Sequence, residues 1–293
     1  MPVDPRPCPP RACPLCGSSF KRSAFPWASR YADSDYRYFA CSACATRYID
    51  PVPDDAAMAQ MYGSGEYHEE FYEGEGDSAY QQTASRLAAQ LPPGASVLDY
   101  GCGGGHLIAA LKARGLDAEG AEFSAAAASN AAARSGCRVH DLSAMDWMAA
   151  GPWDAIHLGD VIEHLADPRD VLANLLPLIR TGGLLSAEGP IEANASLVNG
   201  AIQLFGHAKH LLRPRAIAEF PPYHLLFTSA SAQRAFFRRF PGLNEVHWQL
   251  SENGWPYRGN GALRNVIALA AIVAAKLPGL ALGNRFSVLL RKG

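Results

Sequence analysis

From Ser96 onward, apolar runs short enough for strands alternate with Ala- and Leu-rich runs of helical period. A first strand is expected over Ser96–Tyr100, then a glycine loop, then a helix from about Gly105 to Arg114. A second strand follows over Asp117–Glu122. Ser124 reads as the N-cap of the Ala-rich helix behind it, since its hydroxyl can accept an otherwise orphaned N–H of the first turn. A short third strand is expected near Arg138–His140, a fourth over Trp153–Gly159 and a fifth over Leu184–Glu188. Asp167-Pro168 opens a helix between the last two, with proline where no N–H is needed. That helix is expected to reach about Ile179 and to stop before Thr181-Gly182-Gly183. A helix at Ser229–Arg239, a strand near Leu243–Leu250, an apolar helix over Leu263–Lys276 and a strand at Phe286–Arg291 complete the pattern. Such alternation specifies an α/β fold around a parallel sheet. Residues 190–227 break it and read as an insertion.

Upstream the pattern changes twice. Residues 1–50 are rich in Cys, Pro, Arg and aromatics, and residues 51–95, with prolines, acids and tyrosines, read as a helical connector. The expected organisation is therefore 1–50, 51–95 and 96–293, with 190–227 lying over the site. Apolar residues make up 48% of the 293 and charged residues 18%, enough for a buried core. Lys+Arg 26 against Asp+Glu 28 gives a net charge of −2, without the basic surplus of domains that bind nucleic-acid backbones. The start lacks a basic and then apolar leader, and the most apolar run, 264–276, is too short to span a bilayer. A cytoplasmic protein is expected on these grounds.

Four of the seven cysteines form two C-x-x-C pairs, Cys13/Cys16 and Cys41/Cys44. Each pair lets two thiolates reach one ion from a tight turn, and two turns complete a tetrahedral set. A structural zinc ribbon is expected, closed and therefore not catalytic, although the gap between the pairs is longer than usual. A redox or free-thiol cluster is the competing reading. Cys8 is left over, and Cys137 reads as core.

The strongest chemical signal is Val97–Gly105, where apolar residues lead through Asp99 and Tyr100 into Gly101, Gly103, Gly104 and Gly105. The dinucleotide fingerprint G-x-G-x-x-G fails at His106, and no G-K-[ST] follows for a phosphate loop. Asp99 before the loop disfavours a pyrophosphate and favours a cationic ligand. Glu122 ends the next strand, where an acid can bind both ribose hydroxyls. Asp141 ends the third strand and could receive an adenine amino group. Together these point to a nucleoside without a diphosphate.

With those residues in view, the chain resembles the class I S-adenosylmethionine-dependent methyltransferases. The resemblance is carried by 97–105, by Glu122-Phe123-Ser124, by Asp141-Leu142, by 153–165 and by 178–190. It implies a seven-stranded, mostly parallel Rossmann-like sheet with a terminal antiparallel strand, preceded here by a small zinc ribbon. It implies that Gly101, Cys102, Gly103 and Gly105 hold the methionine part of S-adenosylmethionine, with Tyr100 beside them and Asp99 at the ammonium group. Glu122 would hold the ribose, with Phe123, Asp141 and Leu142 framing the adenine. Gly159 and Asp160 would line the methyl-transfer side. Cys102 holds a variable position in the family, where burial suits it better than chemistry. The cysteine pairs followed by 48–53, Tyr62 and Tyr67 resemble a subgroup of bacterial methyltransferases with an N-terminal zinc module, several of which act on sugars. There the tyrosine-rich segment 62–80 would form a lid; alternatively it is a packing helix.

On the acceptor side, Asp160-x-x-Glu163-His164 is similar to an E-x-x-E-H motif of ubiquinone O-methyltransferases and small-RNA 2′-O-methyltransferases, which in those families can bind a divalent metal. The competing reading is that Glu163 and His164 only order the loop. His224, before a helix, occupies a place where many relatives carry a histidine facing the acceptor, and His207 and His210 are further candidates for a base. Pro221-Pro222-Tyr223 is similar to the N-P-P-Y motif of amino-group methyltransferases, but it lies far beyond the fourth strand, so that reading is rejected.

Three functions remain. The first is methyl transfer to a small molecule, with a sugar or nucleotide-sugar leading. The second is O-methylation of a phenolic or quinone-like acceptor, helped by Asp160, Glu163 and His164 with or without a divalent metal; a metal requirement for turnover would favour it. The third is a non-catalytic zinc-ribbon scaffold. No nucleic-acid partner is expected. The helix at 263–276 is expected to pack beside the sheet, with weak membrane-surface contact as its alternative.

Overall fold

The computed structural model describes residues 11–63, 78–144, 146–212, 217–259, 261–277 and 279–293. Cys8, Tyr67 and most of the expected lid lie outside them.

The chain begins with a small sheet. β1 (Lys21–Tyr31), β2 (Ser34–Cys41) and β3 (Arg47–Asp50) form an antiparallel meander. Two helices follow, α1 (Asp55–Gly63) and α2 (Ser78–Ala88). The alternation then runs β4 (Ser96–Tyr100), α3 (His106–Lys112), β5 (Asp117–Glu122), α4 (Ala125–Ser135), β6 (Val139–Asp141), β7 (Trp153–Gly159), α5 (Pro168–Leu175) and β8 (Ile179–Pro190). Next come α6 (Leu197–Leu212), the short strands β9 (Ala218–Glu219) and β10 (Leu226–Phe227), α7 (Ala230–Phe237), β11 (Leu243–Ser251), α8 (Ala262–Ala274) and β12 (Arg285–Lys292).

The large sheet has the order β11-β12-β8-β7-β4-β5-β6. Strands β4 to β8 are parallel, and β12 is antiparallel to both of its neighbours. This is the expected seven-stranded fold. Its central strands are apolar on both faces, as a sheet covered on two sides requires. Val97, Ala155, Leu184 and Leu289 pack with α2 and α3, while their neighbours Leu98, Ile156, Leu185 and Leu290 face α5 and α7. Both expected caps are present: Ser124 Oγ accepts from Ala127 N, and Asp167 caps α5 with Pro168 behind it.

One boundary moves. α5 ends at Leu175, and a 3₁₀ turn over Leu176–Leu178 contains Pro177, which has no N–H to continue an α-helix. Strand β8 starts earlier than expected. Trp153 faces Ile179 while Ala155 faces Leu184, so Thr181-Gly182-Gly183 is a bulge inside β8 and not the stop before it.

Residues 190–227, expected as an insertion, carry α6, β9 and β10, and the two strands close the small sheet. β10 pairs antiparallel with β3, Leu226 opposite Tyr48, and β9 pairs parallel with β1. The small sheet is thus β10-β3-β2-β1-β9. Its buried residues Tyr38, Tyr48 and Ile49 share one apolar core with the lower face of the large sheet. Helix α8 departs from expectation: it packs against α6 and not beside the sheet, burying only Ala268 and Ala271. Among the described residues no helix is long and apolar enough to cross a membrane.

Candidate functional site

Gly101, Gly103 and Gly105 all have left-handed φ. At two of them space as well as conformation demands glycine. A Cβ at Gly105 would stand 2.7 Å from Ala131 Cα, and one at Gly101 would stand 2.7 Å from a Val161 methyl. The loop is pinned to the next strand by Gly101 N and Cys102 N, which both donate to Ala121 O. Glu122, buried at the end of β5, accepts from Gly103 N at 2.8 Å through one oxygen. Its other oxygen accepts from Phe123 N at 2.8 Å and Ser124 N at 2.9 Å. Phe123 is half exposed beside it.

Asp99 is buried at the end of β4. Burial, with the anions Glu188 and Glu122 nearby, pushes its carboxyl up to about 8. Glu188 is itself held by Thr83 Oγ1 and Arg86 Nη2 of α2, at 2.8 and 2.6 Å. Burial works against its charge, but His157 and Arg86 hold Glu188 below the ordinary range. Cys102 is buried against Gly120, where an added Cβ would lie 2.6 Å from its sulfur, and burial pushes the thiol up. It packs and has no access for chemistry. Tyr100 meets the Trp147 ring edge-on, and Leu142 N donates to Glu122 O. Asp141 is exposed, and one of its oxygens accepts from Ser143 N and Oγ at 2.8 and 2.7 Å. The structure thus gathers Asp99 to Gly105, Glu122, Phe123, Asp141 and Leu142 at the C-terminal ends of β4, β5 and β6.

A second group lies beyond β7. A 3₁₀ turn over Ile162–His164 carries Glu163 and His164, and the insertion brings in His224. One ligating atom from each of the three lies within 4.8 Å of the others. Among the described residues Glu163 Oε1 is buried with no hydrogen-bond partner, 3.9 Å from His164 Nε2. Burial, then the Asp160 charge, pushes Glu163 up to about 8. The bonds around each histidine select its tautomer. Tyr62 Oη donates to Tyr223 O at 2.7 Å, so His164 Nδ1–H donates to Tyr62 Oη and to Tyr223 O. His224 Nδ1–H donates to the Glu192 carboxylate. Both histidines therefore keep Nε2 as the basic atom. Burial would lower His224, but Glu192, with Glu163 and Asp160, raises it to about 9.

Asp160 stands apart from this cluster. It has a left-handed φ of 51°, and its carboxylate accepts from Arg285 Nη2 at 2.7 and 2.9 Å. Of Asp160, Glu163 and His164, only the last two converge, and His224 joins them. Gly159 sits under Asp160, where a Cβ would meet His157. His207 and His210 ride on α6 outside this group, and His207 Nδ1–H donates to Gln203 O. Neither is among the residues that line the cavity described below.

A cavity of about 430 Å³ opens on the cluster. Its wall includes Tyr38 and Arg47 from the small sheet, Asp160 and Glu163 from the turn after β7, His224 and Phe227 from 190–227, and Trp255 and Arg285 from the C-terminal part. The sequence pattern pointed to His224 but not to Glu192, Tyr38, Arg47, Trp255 or Arg285. None of these carries a periodic or motif signal; pairing of distant strands brings them in.

Cys13, Cys16, Cys41 and Cys44 lie together at the far end of the small sheet, all as free thiols. Cys13 and Cys44 sulfurs are 3.8 Å apart, and Cys16 and Cys41 sulfurs 3.5 Å. Four thiolates about 2.3 Å from one tetrahedral ion would be about 3.8 Å apart.

A family model described as "Methyltransferase domain" matches residues 72–239. Over 97 residues the chain is 36% identical to the ubiquinone biosynthesis O-methyltransferase of Aromatoleum aromaticum, covering 31% of this chain and 42% of that protein. The chain thus matches less than half the length of that relative. Among solved structures, magnesium protoporphyrin IX methyltransferase from Synechocystis with bound SAH superposes with a TM-score of 0.53 at 16% identity, over 82% of this chain and all of that one. A SAM dependent methyltransferase from Archaeoglobus fulgidus gives 0.51 at 18% identity, over 77% of this chain and 98% of that one. At these identities the likeness is one of fold.

Proposed function

The chain belongs to the methyltransferase-domain family, and from that premise we propose that it transfers the methyl group of S-adenosylmethionine to a hydroxyl of a small molecule held in the cavity. The donor supplies an electrophilic methyl on a sulfonium. The residues fit it: Gly101 and Gly105 let the loop close against Val161 and Ala131 where a Cβ would clash, Asp99 is a buried carboxylate whose charged neighbours are anions, and Phe123 offers an apolar ring beside Glu122. Glu122 would exchange part of its bonding to Gly103, Phe123 and Ser124 for the ribose hydroxyls. Asp141 and Leu142 would frame the base, and Gly159 would leave room at the transfer side.

One observation carries the acceptor reading. Glu163 and His224 line the cavity, His164 lies beside them, and each histidine uses Nδ1 as a donor, which makes Nε2 its basic atom. Such a group can take the proton of a hydroxyl as it attacks. His224 is the base, and Glu192 orients it. Because His224 is raised to about 9, it gives up its proton at neutral pH when positive charge enters the cluster.

The same group fits a divalent cation, since Glu163 Oε1 is a buried oxygen with no partner among the described residues. Glu163, His164 and His224 would hold the ion, and in that case the ion would acidify the acceptor hydroxyl while His224 served as ligand and not as base. This favours a phenolic or quinone-like acceptor, and so does the O-methyltransferase relative. A sugar or nucleotide-sugar is the second reading, favoured by the amides of Asn199, Gln203 and Asn253 in the cavity wall. The four cysteines fit a tetrahedral zinc, which with all ligands thiolate would be structural.

The test is methyl-labelled S-adenosylmethionine offered with catechols and with nucleotide-sugars, each with and without chelator. Label on catechols, lost on chelation, supports the metal-assisted phenolic reading. Label on nucleotide-sugars that resists chelation supports the second. No label on either, with donor binding measured, leaves the scaffold reading.

A further inference from the structure

Helices α6 and α8 pack on each other, yet each leaves an apolar stripe uncovered by the described residues. On α6 the stripe includes Leu204 at 74% exposure, Phe205 and Leu211; on α8 it includes Leu263 at 75%, Val266 and Leu269. The spacings are helical, so each set lies on one face. Monomeric proteins rarely leave a joined apolar patch of several hundred Å² without a use for it.

Charge narrows the occupant. The segments 197–212 and 262–277 contain no Asp or Glu, although the chain as a whole has 28. Their charged residues are Lys209, Arg264 and Lys276, with His207 and His210. A second copy seated by two-fold symmetry would bring these cations against themselves with no acid to answer them. An anionic lipid surface answers both the apolar stripes and the cations. Trp255, half exposed at the cavity wall, is of the residue type that settles at a membrane interface. The cavity shares Ile202 and Gln203 with α6, so the same helix serves both features.

We propose that α6 and α8 form a platform that seats the protein on an anionic bilayer surface. The helices lie in the plane of the interface, with the Leu and Phe stripes among the acyl chains and the lysines at the headgroups.

The test uses the full chain without donor, so its outcome is independent of methyl transfer. Binding is read by co-sedimentation with phosphatidylglycerol/phosphatidylcholine vesicles and with phosphatidylcholine vesicles alone. Wild type is expected to sediment with the mixed vesicles, less so as salt rises. Leu204→Asp and Leu269→Asp should each weaken this about tenfold. Lys209→Gln with Lys276→Gln should weaken it too, and Val246→Asp, on the exposed face of β11, should leave it unchanged. Circular dichroism confirms that each variant is folded. Equal sedimentation of wild type and Leu269→Asp, or no sedimentation with either vesicle, overturns the proposal. So does a wild-type dimer in light scattering that Leu269→Asp disperses, which would make a second copy the occupant.

Discussion

The hydroxyl of Tyr38 donates a 2.7 Å hydrogen bond to the carbonyl of His224, 186 residues away along the chain. Tyr38 belongs to β2, the strand that ends in Cys41, and Tyr38 also stacks on Phe227 with ring centroids 4.9 Å apart. The cysteine cluster and the histidine cluster are therefore two ends of one small sheet. Tyr38 stands between them, three residues from Cys41 and bonded to the His224 carbonyl.

Cys41→Ser is accordingly expected to do three things at once. Zinc is expected at about one ion per chain in the wild type and toward zero in the variant. The melting temperature should fall with it, and methyl transfer should drop even in protein that remains folded. Metal analysis, a thermal melt and a turnover assay on one preparation check this. Full zinc with an unchanged melt would remove the ribbon.

Glu122→Ala should weaken S-adenosylhomocysteine binding by more than tenfold, on the order of 1.5–3 kcal/mol for a lost hydrogen bond to a charged group. Some stability should also go, because Glu122 caps Gly103, Phe123 and Ser124. Titration calorimetry separates the two effects if it is run below the melt. An unchanged dissociation constant would sink the ribose assignment.

Asp99 links ligand binding to pH. Its folded pKa of about 8 stands above its ordinary 3.8, so the fold favours the protonated form. Its contribution to stability is full below about 3.8 and is lost as pH rises through about 8. Asp99→Asn should therefore raise the melting temperature at pH 8, by roughly 2–4 °C for each kcal/mol recovered. A cationic ligand favours the charged form, so wild-type affinity for S-adenosylhomocysteine should climb between pH 6 and 8, and that of the variant should stay flat. A flat wild-type curve would separate Asp99 from the ammonium group.

His224→Gln should cut turnover by about 10²- to 10⁴-fold, the usual worth of a general base. In the wild type kcat/KM should rise with pH toward about 9, where free His224 loses its proton. Glu192→Gln removes the anion that raises it, so the rise should move to lower pH. An unmoved profile would mean that Glu192 does not act through His224.

Chelation offers a further check on the cluster. If Glu163, His164 and His224 hold a divalent ion, treatment with a weak chelator that spares the four-cysteine site should abolish turnover while leaving the melt intact. Glu163→Gln should reproduce that loss.

The strand ends were legible because α/β chemistry concentrates there. Asp99, Glu122 and Asp141 each end an apolar run, and period alone places them at one edge of the sheet. Glu163 and His164 were legible as a motif. His224 was legible as a separate candidate, but its place beside them was not, since that depends on the pairing of β10 with β3. Asp160 illustrates the converse. It heads the motif in sequence, yet Arg285 of the last strand draws its carboxylate aside. Neither a period nor a spacing encodes that pairing. The end of α5 was misplaced for a local reason, Pro177, which was present in the sequence and outweighed by the glycine pair behind it.

The closure of the small sheet also bears on synthesis. Cysteines 13 to 44 leave the ribosome early. The strands β9 and β10, which cover the outer edges of β1 and β3, follow only after most of the large sheet has emerged. At ordinary elongation rates that interval is roughly 10 to 40 s. Throughout it the nascent chain carries two unpaired strand edges, the kind of surface on which polypeptides aggregate. A stop codon anywhere before residue 218 would make that exposure permanent.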